Sequence, residues 1–205
     1  MISDSIATKE RGSNKAPQRV AVFGGSFNPP HLGHRAICRY LLSQHYDEVW
    51  VVPCYRHAFG KKLAAFGYRF EMCRLVFSGL PVRVLDIERR IGGVSRTVRT
   101  LQKLKKEHPQ CAFSLVIGAD SMKETHQWLS FPRLKALASI VAIPRRGDGS
   151  EGPFLSPLSS TRIREKVESG RSIARDTGLR VAQYISEHHL YRPASRQLTL
   201  KRVTN

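Results

Sequence analysis

The sequence predicts an α/β protein: an open parallel sheet with helices on both faces and a small helical extension at the C-terminal end. Three observations predict it. Short β-rich apolar runs alternate with longer segments whose apolar residues recur at helical spacing, the pattern of parallel strands joined by crossover helices. Two of the runs stop at glycine, one at Gly24-Gly25 and one at Gly118, a residue that marks the end of a buried strand. The length of 205 residues suits one such domain with a small extension.

Taken in order, Arg19-Val-Ala-Val-Phe23 is the first strand. A helix follows over 31–45, with Leu32, Ala36, Ile37, Tyr40 and Leu41 at helical spacing. Glu48–Pro53 and Pro81–Asp86 read as the second and third strands, with a helix over Leu63–Phe77 between them. Thr97–His108 is an amphipathic helix whose apolar face is Val98, Leu101 and Leu104. Ala112–Ile117 is the fourth strand, Phe131–Ala138 a helix and Ser139–Pro144 the fifth strand. Arg145–Pro157 is rich in Gly, Pro and charge and reads as a loop. Two helices close the chain, over 160–169 and 176–189. Residues 1–19 are polar, lack the apolar centre of a secretory signal and predict a flexible tail. The domain then covers 20–192, and 193–205 is a basic tail.

Apolar residues make up 41% and charged residues 24% of the chain, a soluble globular balance. No apolar run reaches the roughly 18 residues of a membrane span, so no membrane partner is expected. Cys38, Cys54, Cys73 and Cys111 lack C-x-x-C spacing and sit in or beside apolar runs. They predict buried free thiols, which fit a reducing cytoplasm. The net charge is +18; residues 1–19 supply +2 and residues 190–205 supply +4, leaving +12 on the body. Such a surface attracts polyanions, whether nucleic acid, anionic lipid or phosphorylated metabolites. Charge therefore does not choose among them.

Chemistry is concentrated in Gly24-Gly-Ser-Phe-Asn-Pro-Pro-His-Leu-Gly-His34, between the first strand and the first helix. In an open α/β sheet this corner lies at the carboxyl ends of the strands, where ligands bind. Gly24 and Gly25 allow a sharp turn and a close approach to a ligand. Ser26 offers a hydroxyl, and Gly33 leaves space between two histidines. His31 and His34 are three apart and can share a helix face. The helix N-terminus adds unpaired N–H groups for phosphate. The stretch is neither the G-x-G-x-x-G fingerprint nor a Walker loop, and it lacks the glutamate of H-E-x-x-H. The competing account is a pair of structural histidines beside a glycine turn. Leu158-Ser-Ser-Thr-Arg-Ile-Arg164 also sits at a helix start. There Ser159, Ser160 or Thr161 can cap the helix, and Arg164, one turn in, can fork onto a phosphate.

Residues 24–34 resemble the G-x-F-x-P-x-H-x-G-H signature of the nucleotidyltransferase superfamily, and 158–164 resemble its I-S-S-T-x-I-R signature. Within the superfamily the chain is similar to the bacterial nicotinate (nicotinamide) mononucleotide adenylyltransferases. Val116-Ile-Gly-Ala-Asp-Ser-Met122 with Trp128, Ser95-Arg-Thr-Val-Arg-Thr-Leu101 and Val181–Tyr191 resemble three further segments of that family. The resemblance implies a Rossmann-like sheet, transfer of an adenylyl group from ATP to nicotinate mononucleotide in NAD biosynthesis, and Mg²⁺ accompanying the ATP. It also implies roles. Ser26, His31 and His34 would meet the ATP phosphates, with His34 near the α-phosphate, in the loop shaped by Gly24, Gly25, Phe27 and Gly33. Ser160, Thr161 and Arg164 would hold the β- and γ-phosphates. Gly118 and Asp120 would meet the ribose, and Arg145 or Arg146 the adenine. Thr97 and Trp128 would line the pyridine pocket.

Two departures from the family pattern bear on the acceptor. Arg96 stands where the family has tyrosine, and the loop after the second strand reads Cys54-Tyr-Arg-His-Ala-Phe-Gly-Lys-Lys62. His57, Lys61 and Lys62 remain candidates for the mononucleotide phosphate. That phosphate is mostly dianionic at pH 7, so the reaction needs no general base. It needs positioning and positive electrostatics, expected from the histidines, the helix N-termini, Arg164 and Mg²⁺. Two alternatives stand beside this reading. One is another phosphorylated acceptor, nicotinamide mononucleotide or phosphopantetheine. The other is a nucleic-acid binding protein on the same fold, which no RNP-like or zinc-finger motif supports. A homo-oligomer is compatible with the sequence.

Overall fold

A computed structural model describes residues 16–118, 131–143 and 158–192. Strands β1 (Gln18–Gly25), β2 (Glu48–Pro53), β3 (Val82–Val84), β4 (Cys111–Gly118) and β5 (Ser139–Ile143) form one sheet in the order β3-β2-β1-β4-β5. Every neighbouring pair is parallel. The chain steps outward from β1 to β3, then crosses back to lay β4 on the other edge of β1. The crevice at the carboxyl ends of β1 and β4 is therefore the point where strand order reverses, the place in such sheets where ligands bind.

Helices α1 (Leu32–Ser43), α2 (Phe66–Phe77), α3 (Ile87–Ile91), α4 (Thr97–Glu107), α5 (Phe131–Leu137), α6 (Ser160–Glu168), α7 (Ala174–Thr177) and α8 (Leu179–Glu187) cover both faces. Alternate strand residues point to opposite faces, and the core divides accordingly. Ala21, Phe23, Val49, Val51 and Val116 pack with α1, α2, α6 and α8 through Ile37, Leu41, Met72, Ile163 and Val181. Val20, Val22, Trp50, Leu115 and Ile117 pack with α3, α4 and α5 through Ile87, Leu101, Leu104 and Leu134. Burial on both faces explains why the inner strands β1, β2 and β4 read as largely apolar runs. The expected face of α4 is borne out by Leu101 and Leu104, at 1% and 0% exposure. Burying one such leucine is worth about 1.5–3 kcal/mol, which anchors an otherwise charged helix.

Four boundaries differ from the sequence expectation. β1 begins at Gln18, and the Arg19 amide donates to Asp47 Oδ2, so these residues belong to the sheet and not to a tail. α2 begins at Phe66 because the preceding turn is tied elsewhere: the Ala64 amide donates to Asn28 Oδ1 and its carbonyl accepts from Arg69 Nε. β3 is only three residues, since Asp86 already stands at the start of α3, a helix too short to show periodicity. The closing helix expected over 176–189 is split at Gly178, whose φ of 84° no helix accommodates. Among the described residues no helix is long and apolar enough to cross a membrane. All four cysteines are free, three buried and Cys54 half-buried. The expected loop 145–157 and the tail residues 1–15 and 193–205 lie outside the described residues.

Candidate active site

From Gly25 the chain crosses the carboxyl end of the sheet and enters α1 at Leu32. Phe27 has a φ of 46°, a left-handed conformation that costs about 1–3 kcal/mol in a residue with a Cβ. Its ring offsets this by burying to 2% exposure, edge-on to Phe23 and Phe77 and 4.9 Å from the His34 ring. Gly25 makes the fit possible, because a Cβ there would lie 3.0 Å from the tip of the Phe27 ring.

His31 occupies the position before α1 and His34 lies in the first turn, their ring centroids 3.7 Å apart. The His31 amide donates to His34 Nδ1 at 3.1 Å. Burial lowers the pKa of His31 to about 4, partly opposed by the charge of Asp176. Burial, then the proximity of His31, pushes His34 well below the ordinary value. Both imidazoles are neutral at pH 7. Burial thus disfavours the positive charge expected of them, and the cationic group beside this loop is Arg164. His31 Nδ1 is buried without a hydrogen-bond partner among the described residues.

The second motif is fastened to the first. Ser160 Oγ donates to the Pro29 carbonyl at 2.8 Å, and Arg164 Nη1 donates to the Asn28 carbonyl at 2.7 Å. Arg164 Nη2 reaches Thr161 Oγ1 at 3.2 Å. Ser159 takes the N-cap position without a side-chain cap bond. The start of α6 is thus stapled to the loop that opens α1, and two helix N-termini meet at one loop, a setting suited to phosphate. Asn28 is the hub: its Oδ1 also accepts from the Ala64 amide and from the Tyr191 hydroxyl.

Beside this loop a cavity of about 310 Å³ opens at the strand ends, lined by Gly24, Gly25, Ser26, His57, Thr97 and Gly118 among others. These six expected residues come together. The loop after β2 is held there by its backbone, with the Tyr55 amide donating to Glu88 Oε2 and Ser95 Oγ. His57 Nδ1 accepts from the Phe59 amide, and burial, Lys61 and Arg69 lower its pKa. Lys62 does not join this cavity. It lines a second one, of about 420 Å³, with Arg164, Asn28 and Tyr191. Arg96 is exposed at the start of α4 and is not among the lining residues. Phe27 and Gly33 are buried beneath the loop, and Thr161 is exposed. Asp120, Trp128, Arg145 and Arg146 lie outside the described residues.

The cytidylyltransferase-like family matches residues 22–166. A protein of Anaeromyxobacter dehalogenans, named "probable nicotinate-nucleotide adenylyltransferase", is 40% identical over 85% of this chain and 97% of its own length. One of the same name from Myxococcus xanthus is 35% identical over 84% of this chain and 94% of its own. The chain belongs to the nicotinate-nucleotide adenylyltransferase family. The Plasmodium falciparum nicotinic acid mononucleotide adenylyltransferase complexed with NaAD has a similar structure, with a TM-score of 0.72 over 85% of this chain and 97% of that one. At 21% identity this likeness speaks for the Rossmann-like fold.

Sequence reasoning about this family member missed Asn28, Arg69, Glu88 and Ser95 as organisers of the site. Asn28 and Ser95 stood inside the motifs, but nothing in their spacing revealed which backbone groups they hold. Arg69 left one readable trace, an arginine set among Phe66, Phe70, Met72 and Cys73 on a helix.

Proposed function

We propose that this chain joins the adenylyl group of ATP to the phosphate of nicotinate mononucleotide, giving nicotinate adenine dinucleotide and pyrophosphate, a step of NAD biosynthesis. One observation carries the reading beyond family membership: the loop that opens α1, stapled to α6 through Ser160 and Arg164, runs back through Gly24, Gly25 and Ser26 along a cavity of about 310 Å³ that His57 and Thr97 also line. One side suits a triphosphate and the other an acceptor. A phosphate oxygen of the acceptor attacks the α-phosphorus of ATP. The bond from that phosphorus to the bridging β-phosphate oxygen breaks, and pyrophosphate leaves with the electron pair. The acceptor phosphate is already mostly dianionic at pH 7, so no side chain has to remove a proton.

The protein's part is to align two anions and to meet charge as it develops. His34 donates from Nε2 toward the α-phosphate. Ser26 and the first amides of α1 take phosphate oxygens. Ser160, Thr161, Arg164 and the first amides of α6 hold the β- and γ-phosphates. His57 and Thr97 face the acceptor. The donor set around the loop is N–H and hydroxyl, and the carboxylate lining the cavity, Glu88, is engaged by Tyr55 and Thr100. Mg²⁺ would thus arrive on the ATP phosphates and neutralise their charge. The four free thiols support a reducing compartment, the cytoplasm.

The test is turnover by the full chain with ATP, Mg²⁺ and one acceptor at a time. Release of pyrophosphate with formation of nicotinate adenine dinucleotide supports the reading. Turnover only with phosphopantetheine, or salt-sensitive RNA binding without any turnover, defeats it.

A further inference from the structure

We infer that Arg69, a residue of α2, is a positioning residue that sets the spacing of the two substrate loops. The inference rests on the adenylyl transfer proposed above. Arg69 is 1% exposed. Its guanidinium donates in three directions: Nε to the Ala64 carbonyl at 2.8 Å, Nη1 to the Ser26 carbonyl at 2.9 Å and Nη2 to the Tyr55 carbonyl at 3.4 Å. Among the described residues it forms no ion pair. The three acceptors belong to three separate stretches. Ser26 lies in the loop that opens α1. Tyr55 follows β2 in the loop carrying His57. Ala64 leads into α2 and, through its amide, holds Asn28 Oδ1. A direct contact already joins the two loops at their roots, where the Cys54 amide donates to the Gly25 carbonyl at 2.9 Å. Arg69 adds a second tie between the two loops, and two ties set their relative direction as well as their spacing.

A buried cation is a costly way to fill a core. An apolar side chain of similar volume is often as stable or more so. What the guanidinium adds is a rigid planar fork that fixes the angles among three carbonyls at once. Those carbonyls precede or follow the residues that face the ligands: Ser26 itself on the ATP side, and Cys54 and His57 on the acceptor side. Lysine keeps the charge and lacks the fork. It can hold the loops only one bond at a time, and a shift of about 1 Å in such a site costs on the order of 100-fold.

The test compares the wild-type chain with Arg69→Lys and Arg69→Gln. Amide hydrogen exchange is read without substrates, and steady-state kinetics are read with ATP and nicotinate mononucleotide each varied. In both variants, exchange should quicken in 26–28 and 54–65 while β1, β2 and β4 keep wild-type protection. KM should rise for both substrates, and kcat/KM should fall on the order of 10–100-fold. Wild-type kinetic constants with wild-type loop exchange would overturn the inference. So would exchange lost evenly through the core strands, or failure of both variants to fold, since either assigns Arg69 to general stability. Failure of the proposed function is separate and visible first: the wild-type chain would not turn over nicotinate mononucleotide, whereas the exchange comparison needs no acceptor.

Discussion

The His31 amide donates to Nδ1 of His34 at 3.1 Å, so the neutral His34 imidazole carries its proton on Nε2. One ring nitrogen of a neutral histidine donates and the other accepts. The backbone at the start of α1 therefore selects the tautomer, and the nitrogen left to act on a ligand is a donor. His34→Ala removes that donor and is expected to lower kcat by on the order of 10²–10³, with the thermal midpoint near that of the wild type. His34→Gln offers an N–H group from a longer, unclamped side chain and should recover only part of the loss. Steady-state kinetics on both variants check this, and a His34→Ala enzyme with near wild-type kcat would remove His34 from the reaction.

The same histidines make stability depend on pH. In the fold, burial lowers His31 to about 4 from an ordinary 6.5 and pushes His34 well below its ordinary value. His57 is lowered as well. Between those values and about 6.5 the unfolded chain binds protons that the folded chain refuses, so unfolding becomes easier as pH falls. The stability tied to neutral histidines is full above pH 6.5 and is lost progressively toward pH 4. Urea midpoints measured between pH 7.5 and 4.5 should decline in the wild type, and His31→Gln should flatten the part between 6.5 and 5. The Lys166–Asp176 ion pair lies close by and is left in place by this substitution. An unchanged slope in His31→Gln would contradict the assignment.

Gly25→Ala tests how the loop is shaped. The added Cβ would meet the Phe27 ring at 3.0 Å, and that ring already touches His34 and is enclosed by Phe23 and Phe77. A ring boxed in on three sides cannot swing away freely, so either Phe27 or the strand end moves. Forced overpacking costs about 1–3 kcal/mol, and activity should fall more than stability because the displaced ring pushes on His34. Thermal melting beside kcat separates the two. Gly24, where an added Cβ meets nothing within 4 Å, is the control for bulk, and Gly24→Ala should leave the fold unaffected.

The parts of this molecule that were legible in the sequence are those set by short-range pattern. All five strands could be read as short β-rich runs; burial on both faces makes β1, β2 and β4 compact and apolar, while the edge strands β3 and β5 keep enough valine and isoleucine to show. The two phosphate-loop motifs could be read because glycine, proline and paired histidines must follow one another closely there. What stayed hidden depends on long-range packing. A single Gly178 splits the last helix through its φ, while its neighbours keep helical spacing across the break. The histidines were visible as site residues, but their neutral state comes from a burial that no local pattern encodes. Arg69 reads locally as one more cation in a chain of net charge +18. Only the fold brings carbonyls from residues 26, 55 and 64 around it.

The enzyme is expected to prefer nicotinate mononucleotide to nicotinamide mononucleotide, and the side chain of Arg96 is expected to contribute little to that preference. The two acceptors differ by a carboxylate against an amide, so discrimination must come from positive potential near the pyridine ring. Arg96 is the obvious candidate by charge, because it stands where the family has tyrosine. Yet it lies exposed before α4, outside the lining of the 310 Å³ cavity. Charges that face bulk water are screened over about 10 Å at ordinary salt. Its neighbour Thr97, the first residue of α4, does line the cavity. The amides of the first turn of that helix have no helical acceptors, and the helix dipole favours an anion there by about 1–2 kcal/mol when partly buried. That corresponds to roughly 5- to 30-fold in kcat/KM. Arg96→Tyr should therefore retain the preference within about threefold, with little dependence on salt. Thr97→Pro keeps a residue acceptable at the first helical position but removes one of these amides, and it should narrow the preference while leaving the KM for ATP near its wild-type value. Specificity constants for both mononucleotides at saturating ATP decide the matter. Equal or reversed constants in the wild type would defeat the preference itself, and its loss in Arg96→Tyr would return the role to the Arg96 side chain.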